Sequence, residues 1–131
     1  DAVILAGAAL IRLELTPKIT SFFSVEDMVP SPLQGFIAIE ARKDSHLINM
    51  FSLFSSRIDK IISKYERKAL TSLNGSCFLP FGFNLVNYKK DFICSYFLNN
   101  NEQTIKDSVI IKNENIDYQV DSIIAKLSTI L

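Results

Sequence analysis

Phe92-Ile93-Cys94-Ser95-Tyr96-Phe97-Leu98 is an apolar run of strand length, preceded by Asn87-Tyr88-Lys89-Lys90-Asp91 and followed by Asn99-Asn100-Asn101-Glu102. Aromatic and β-branched residues inside, with polar turn formers on both sides, mark a strand between two hairpin turns. Residues 78–86 and 104–112 have the same character, so the three segments are predicted to form an antiparallel meander. Such a sheet must bury a face, and two amphipathic helices flank it in sequence. In the first, over 45–73, Leu47, Phe51, Phe54, Ile58, Ile61, Tyr65 and Ala69 recur at steps of three and four and form one stripe. Ser55-Ser56 interrupts it, and Ser56 with Asp59 has the form of a capping box, which predicts two consecutive helices with a bend. Lys64, Arg67 and Lys68 fall in the last turns, where cations suit the dipole, and Gly75 is suited to a left-handed stop. The second helix begins near Asn115 and carries Ile116, Val120, Ile123, Ile124, Leu127 and Leu131 on one face. The expectation for 44–131 is an α/β (α+β) unit, a three-stranded antiparallel sheet with helices packed on one face.

Upstream of this unit the pattern changes. Asp1-Ala2-Val3-Ile4-Leu5-Ala6 is a continuous apolar run, which predicts a strand buried on both faces. Gly7-Ala8-Ala9-Leu10-Ile11-Arg12-Leu13 has the small and apolar spacing of a helix packed back on a sheet, half of a βα unit. Pro17, Pro30 and Pro32 punctuate 16–32, a connector with one short helical turn. Over 35–42, Phe36, Ala38 and Glu40 alternate with Ile37, Ile39 and Ala41, which predicts a second largely buried strand. Neither strand has a neighbour in this sequence. Both are expected to pair with a sheet encoded elsewhere, the chain being the C-terminal piece of a longer protein with apolar surface exposed around 1–42.

Composition narrows the classes. The chain has 131 residues, 48% hydrophobic and 21% charged, which excludes a disordered or low-complexity class. No apolar stretch approaches the roughly 20 residues needed to span a bilayer. Fourteen basic and fourteen acidic residues cancel, so neither nucleic acid nor a membrane surface is expected as a partner. Two cysteines, no CxxC pair and a single histidine, His46, argue against a disulfide-stapled fold and against any metal site, and fit a reducing cytoplasm.

The chemistry-bearing segment is Leu73-Asn74-Gly75-Ser76-Cys77-Phe78-Leu79-Pro80-Phe81-Gly82, between the first helix and the first strand. A thiol after a glycine and a small residue at a helix end is open to close approach, and Lys68 or Arg67 upstream can favour its thiolate. The competing reading is a small buried hydrophobe, which suits Cys94, inside its apolar strand, far better than Cys77.

This loop resembles the leucine-glutamate-glycine-glycine-cysteine, then x-x-proline-x-glycine, loop of the porphobilinogen deaminase (hydroxymethylbilane synthase) family. Three further stretches are similar to that family in the same order: Asp1 to Ala6 with Leu10-Ile11-Arg12-Leu13, Pro32-Leu33-Gln34-Gly35-Phe36-Ile37-Ala38-Ile39-Glu40-Ala41-Arg42, and Glu66-Arg67-Lys68-Ala69-Leu70. The resemblance implies a three-domain cytoplasmic, monomeric transferase of tetrapyrrole (heme) synthesis. By it, 1–29 end a second, periplasmic-binding-protein-like domain, 30–43 return as a strand to the first domain, and 44–131 form the cofactor-anchoring domain.

It further implies a dipyrromethane cofactor held through a thioether to Cys77, on which four porphobilinogen units are condensed with loss of ammonia. A soft sulfur nucleophile suits capture of the electrophilic azafulvene that deamination yields, and a covalent primer keeps every linear pyrrole intermediate local. The pyrrole chain is rich in carboxylates, which calls for permanently charged partners. Arg12 matches a cleft arginine of the family, and Gln34 and Gly35 match its cleft glutamine and glycine. Gly75 and Ser76 stand at the glycine pair before the cysteine. Arg67 with Glu66 is expected as a structural ion pair supporting the loop, and Arg42 as a strand-end charge. Departures are Asn74 for the acid, Ser76 for the second glycine, and Leu33 for the glycine before Gln34. The family's catalytic aspartate has no counterpart here, so no catalytic residue is assigned, and the isolated chain, lacking the N-terminal part of the protein, is expected to be inactive.

Judged without the resemblance, two other classes stay open: an α/β interaction module with an inert Cys77, and a ligand-binding protein without covalent chemistry. A thiol hydrolase is disfavoured, since His46 stands at the far start of the long helix as a surface residue.

Overall fold

Strands β1 (Phe81–Tyr88), β2 (Asp91–Asn99) and β3 (Thr104–Ile111) form the meander in the order in which they occur. The computed structural model describes residues 1–74 and 79–131. The register pairs Leu85 with Cys94 and Cys94 with Val109, and likewise Phe83 with Tyr96 and Tyr96 with Asp107. Alternation therefore places Phe81, Phe83, Leu85, Phe92, Cys94, Tyr96, Leu98 and Ile111 on one face, and all of them are buried. Turn chemistry fixes that register. Lys89 adopts φ 59° in the two-residue β1–β2 turn. In the β2–β3 turn the Asn100 side-chain oxygen accepts from the backbone N–H groups of Glu102 and Gln103 at 3.0 and 2.7 Å.

Helices are α1 (Gly7–Arg12), α2 (Leu47–Phe51), α3 (Arg57–Ser72) and α4 (Ile116–Ser128). The predicted bend lies between α2 and α3, and the capping box is formed in full: Ser56 Oγ accepts from Asp59 N at 3.0 Å while the Asp59 carboxylate accepts from Ser56 N at 3.1 Å. From α3, Tyr65 and Ala69 enter the core, where Ile116, Val120, Ile123, Ile124 and Leu127 of α4 join them on the same face of the sheet. The two helices are cross-linked at one-turn spacing by Lys68 to Asp121 at 2.7 Å and Lys64 to Asp117 at 3.5 Å. These cations thus serve α4 rather than the end of α3, whose last turn carries no basic residue.

Several expectations are corrected. Residues 1–6 and 35–42 form no strand, and Val3 and Ile37 are 80% and 82% exposed. A strand is held by a ladder of hydrogen bonds to a neighbour, and no strand of the described residues lies beside either segment. The helix over 7–12 does form, without packing on a sheet. In the first half of the long stripe Leu47, Phe54 and Ile58 are exposed for the same want of cover, and Phe51 is half-buried. At the C-terminus the chain leaves α4 after Ser128, which turns Ile130 inward and leaves Leu131 exposed. The left-handed step after α3 falls on Asn74, φ 46°; Gly75 lies outside the described residues.

One packing interaction has no counterpart in the hydropathy pattern. The connector folds over the second face and the β1 edge of the sheet. Phe83 N donates to the Pro30 carbonyl at 2.9 Å, and Lys106 Nζ donates to the Asp27 carbonyl at 3.0 Å. Gly82 is required by this approach, because a Cβ there would stand 2.5 Å from the Val29 carbonyl oxygen and 2.9 Å from its Cβ.

Candidate functional site

The loop that carries Cys77 is bounded by α3 on one side and β1 on the other. Gly75, Ser76 and Cys77 lie outside the described residues; the structure places the two flanks. After the loop, the Pro80 carbonyl accepts from Asn99 N at 3.1 Å, which ties the start of β1 to the end of β2.

Glu66 of α3 is the one charged side chain of the described residues set almost wholly inside the core, at 1% exposed. Its two oxygens are divided between distant segments. Oε1 accepts from Leu85 N of β1 at 2.8 Å and from Asn84 Nδ2 at 3.4 Å, and Oε2 accepts from Leu33 N of the connector at 2.7 Å. Burial pushes the Glu66 carboxyl above its ordinary value, and the two backbone N–H donors partly restrain the rise. The predicted Glu66–Arg67 ion pair is therefore absent among the described residues. Adjacent helical positions point about 100° apart, so Glu66 faces the sheet while Arg67 is exposed.

Gln34 and Gly35 sit in a pair of successive turns rather than at a strand. Gln34 N donates to the Ser31 carbonyl at 3.0 Å and Phe36 N to the Leu33 carbonyl at 3.1 Å. Gly35 adopts φ 87° with nothing within 4 Å of where a Cβ would be, so its backbone is open to a neighbour. Leu33 adopts φ 64°, in the left-handed region that favours glycine. This is the position at which the resemblance expects glycine. Leu33→Gly is accordingly expected to stabilise the chain by up to about 1 kcal/mol, the relieved backbone strain being partly offset by glycine's extra unfolded-state freedom. A urea midpoint that falls instead would mean that packing of the Leu33 side chain outweighs the strain.

Arg12 is exposed at the end of α1 and makes no ion pair among the described residues. Lys68, one of two candidates for favouring the Cys77 thiolate, is engaged by Asp121. Arg67 instead lines an open groove of about 590 Å³ with Leu33, Phe36, Ile39, Phe51 and Phe54. Arg42 lies 3.8 Å from Asp44, and both are well exposed. His46 is a surface residue preceding α2. Cys94 is fully buried, and burial together with the nearby Glu66 carboxylate pushes its thiol to about 12. A thiol sealed from solvent and held from ionising is a poor nucleophile. Among the described residues no His, Cys, Asp and Glu side chains gather into a metal-binding set, and no helix is long and apolar enough to cross a membrane.

Residues 1–50 match the family model described as porphobilinogen deaminase, dipyromethane cofactor binding domain. The chain is 34% identical over 82 residues to porphobilinogen deaminase of Clostridium acetobutylicum, covering 63% of this chain and 28% of that protein. It is 37% identical over 86 residues to that of Campylobacter hominis, covering 64% and 28%, and 39% identical over 83 residues to that of Francisella tularensis subsp. novicida, covering 63% and 28%. The chain thus spans about 28% of the length of these curated relatives. A continuous stretch covering 63% of 131 residues includes residues 50–82 wherever it begins, and so takes in the loop that carries Cys77.

Proposed function

From its kinship with the porphobilinogen deaminases, we propose that this chain is the C-terminal, cofactor-anchoring part of such an enzyme, a cytoplasmic transferase that condenses four porphobilinogen units into hydroxymethylbilane with release of ammonia. In this reading 1–29 complete a second domain, 30–43 return to the first, and 44–131 anchor a dipyrromethane through Cys77. The reading is supported above all by one conjunction: the similarity runs through the Cys77 loop, while the chain's other thiol, Cys94, is sealed in the core.

The residues suit that group by chemistry. A loop thiol next to a small residue offers the nucleophile, and the open backbone at Gly35 with the exposed amide of Gln34 offers neutral hydrogen-bonding partners. Arg12 supplies a permanent positive charge for carboxylates. When bound, the dipyrromethane supplies the nucleophilic pyrrole carbon from which the chain is extended. Cys77 holds it, Arg12 and Gln34 orient it, and the acid–base chemistry falls to residues outside this chain, in the part of the protein that is its principal partner.

Mass spectrometry of the longer protein supplied with porphobilinogen tests the reading. The peptide containing Cys77 is expected to carry a dipyrromethane and the peptide containing Cys94 to be bare, while the 131-residue chain alone forms no bilane. A bare Cys77 in a folded, supplied protein would overturn the assignment and leave a non-catalytic α/β module.

A further inference from the structure

Three parts of the chain that are distant in sequence meet at one buried carboxylate. Glu66 projects from α3, the helix that leads into the Cys77 loop; its Oε1 holds Leu85 N in β1, the strand that leaves that loop; and its Oε2 holds Leu33 N, the residue before Gln34. Each bond is short, at 2.8 and 2.7 Å, the one to Leu85 buried and the one to Leu33 part-buried, where shielding from water strengthens a carboxyl–amide bond. Leu33 is held at φ 64° despite its side chain, so something must over-determine that turn. The neighbouring contacts at Asp27, Val29 and Pro30 fix the connector to the sheet but stop short of the turn itself. Glu66 is the contact that reaches it.

We propose that Glu66 is a positioning residue, a clasp whose single carboxylate sets the Gln34–Gly35 turn in register with both flanks of the Cys77 loop. This rests on the proposed function, with Cys77 as the cofactor anchor and Gln34 and Gly35 as groups that contact the cofactor. The clasp acts through the backbone and touches no reacting atom. Because placement errors of about 1 Å are worth up to about 100-fold in rate, a loosened turn slows turnover without removing the anchor.

Two variants test it. Glu66→Gln keeps one acceptor oxygen but turns an amide N–H₂ toward one of the two backbone donors; Glu66→Asp keeps the charge on an arm one methylene too short to span both, and serves if the first does not fold. In the 131-residue chain, amide hydrogen exchange at Leu33 and Leu85 is expected to accelerate by about 10- to 100-fold while Val120 in α4 is unchanged. In the longer protein, Cys77 is expected to remain loaded by mass while kcat falls about 10- to 100-fold. Ile123→Val, a comparable loss of core packing remote from the turn, is expected to leave kcat unchanged. Wild-type kcat in a Glu66 variant whose Leu33 amide has become unprotected overturns the proposal, as does an equal loss in Ile123→Val. If Cys77 of the unsubstituted protein carries no adduct, the deaminase reading fails instead, and the exchange measurements still decide whether the clasp exists.

Discussion

Cys77→Ala in the longer protein is expected to abolish bilane formation, with turnover lower by about 10³-fold or more. In the proposed reading the loss has two sources, the tether that the sulfur provides and its strength as the nucleophile that captures the primer. On the proposed reading the tether keeps every intermediate at one place, and a well-oriented tethered reactant reaches an effective concentration of about 10⁵ M or more. Cys77→Ser tests the second source, because a hydroxyl of similar size is a far weaker nucleophile without an adjacent base, so it should fail to load although its shape is preserved. Cys94→Ala provides the contrast: its thiol is buried and protonated, so the variant is expected to retain its load and turnover. Turnover by Cys77→Ala within tenfold of the unsubstituted protein would show that the anchor lies elsewhere.

Phe83→Ala is expected to cost the fold about 3–5 kcal/mol, a large part of the roughly 5–15 kcal/mol that holds a domain of this size together. Phe83 is the largest of the fully buried side chains, its ring 6.3 Å from that of Phe81, and it sits opposite Tyr96 with α3 and α4 above it. Truncation leaves a cavity whose walls belong to a sheet and two cross-linked helices, with little freedom to collapse. Phe54→Ala, at a side chain 73% exposed, is expected to move stability by no more than about 0.5 kcal/mol. Urea denaturation of the two variants measures the difference. Equal midpoints would remove Phe83 from the core.

The contrast between these two phenylalanines also marks how far the fold could be read from sequence. Phe83 and Phe54 are equally apolar, and each falls on a periodic stripe. Phe83 is buried because its strand is paired within the chain, whereas Phe54 belongs to a half-stripe left largely uncovered by the described residues. Local pattern records which face wants cover; the cover expected for 1–6 and 35–42 is a sheet encoded elsewhere, and within this chain both segments stay unpaired and exposed. Features set by near neighbours were legible: the meander, the Ser56–Asp59 capping box, the inward face of α4 and the buried Cys94. Glu66 was not. Charge alone points to Arg67 next door as its partner, while its actual partners are backbone amides 19 and 33 residues away, which leave no trace in side-chain identity. The one available signal was a glutamate beside Tyr65 on the core side of an amphipathic helix.

The two short turns of the meander bear on the order in which the molecule assembles. With Tyr88 paired to Asp91 and Asn99 to Thr104, the sheet closes through contacts between near sequence neighbours, and hairpins of this kind form in about 1–10 μs. Docking of the connector joins residues such as Asp27 and Lys106, which are 79 positions apart, and must wait for the surface on which it lands. Refolding from denaturant is therefore expected to show the strands protected early and the Leu33 amide late, so that the Gln34–Gly35 turn is set only after the sheet beneath the connector has folded.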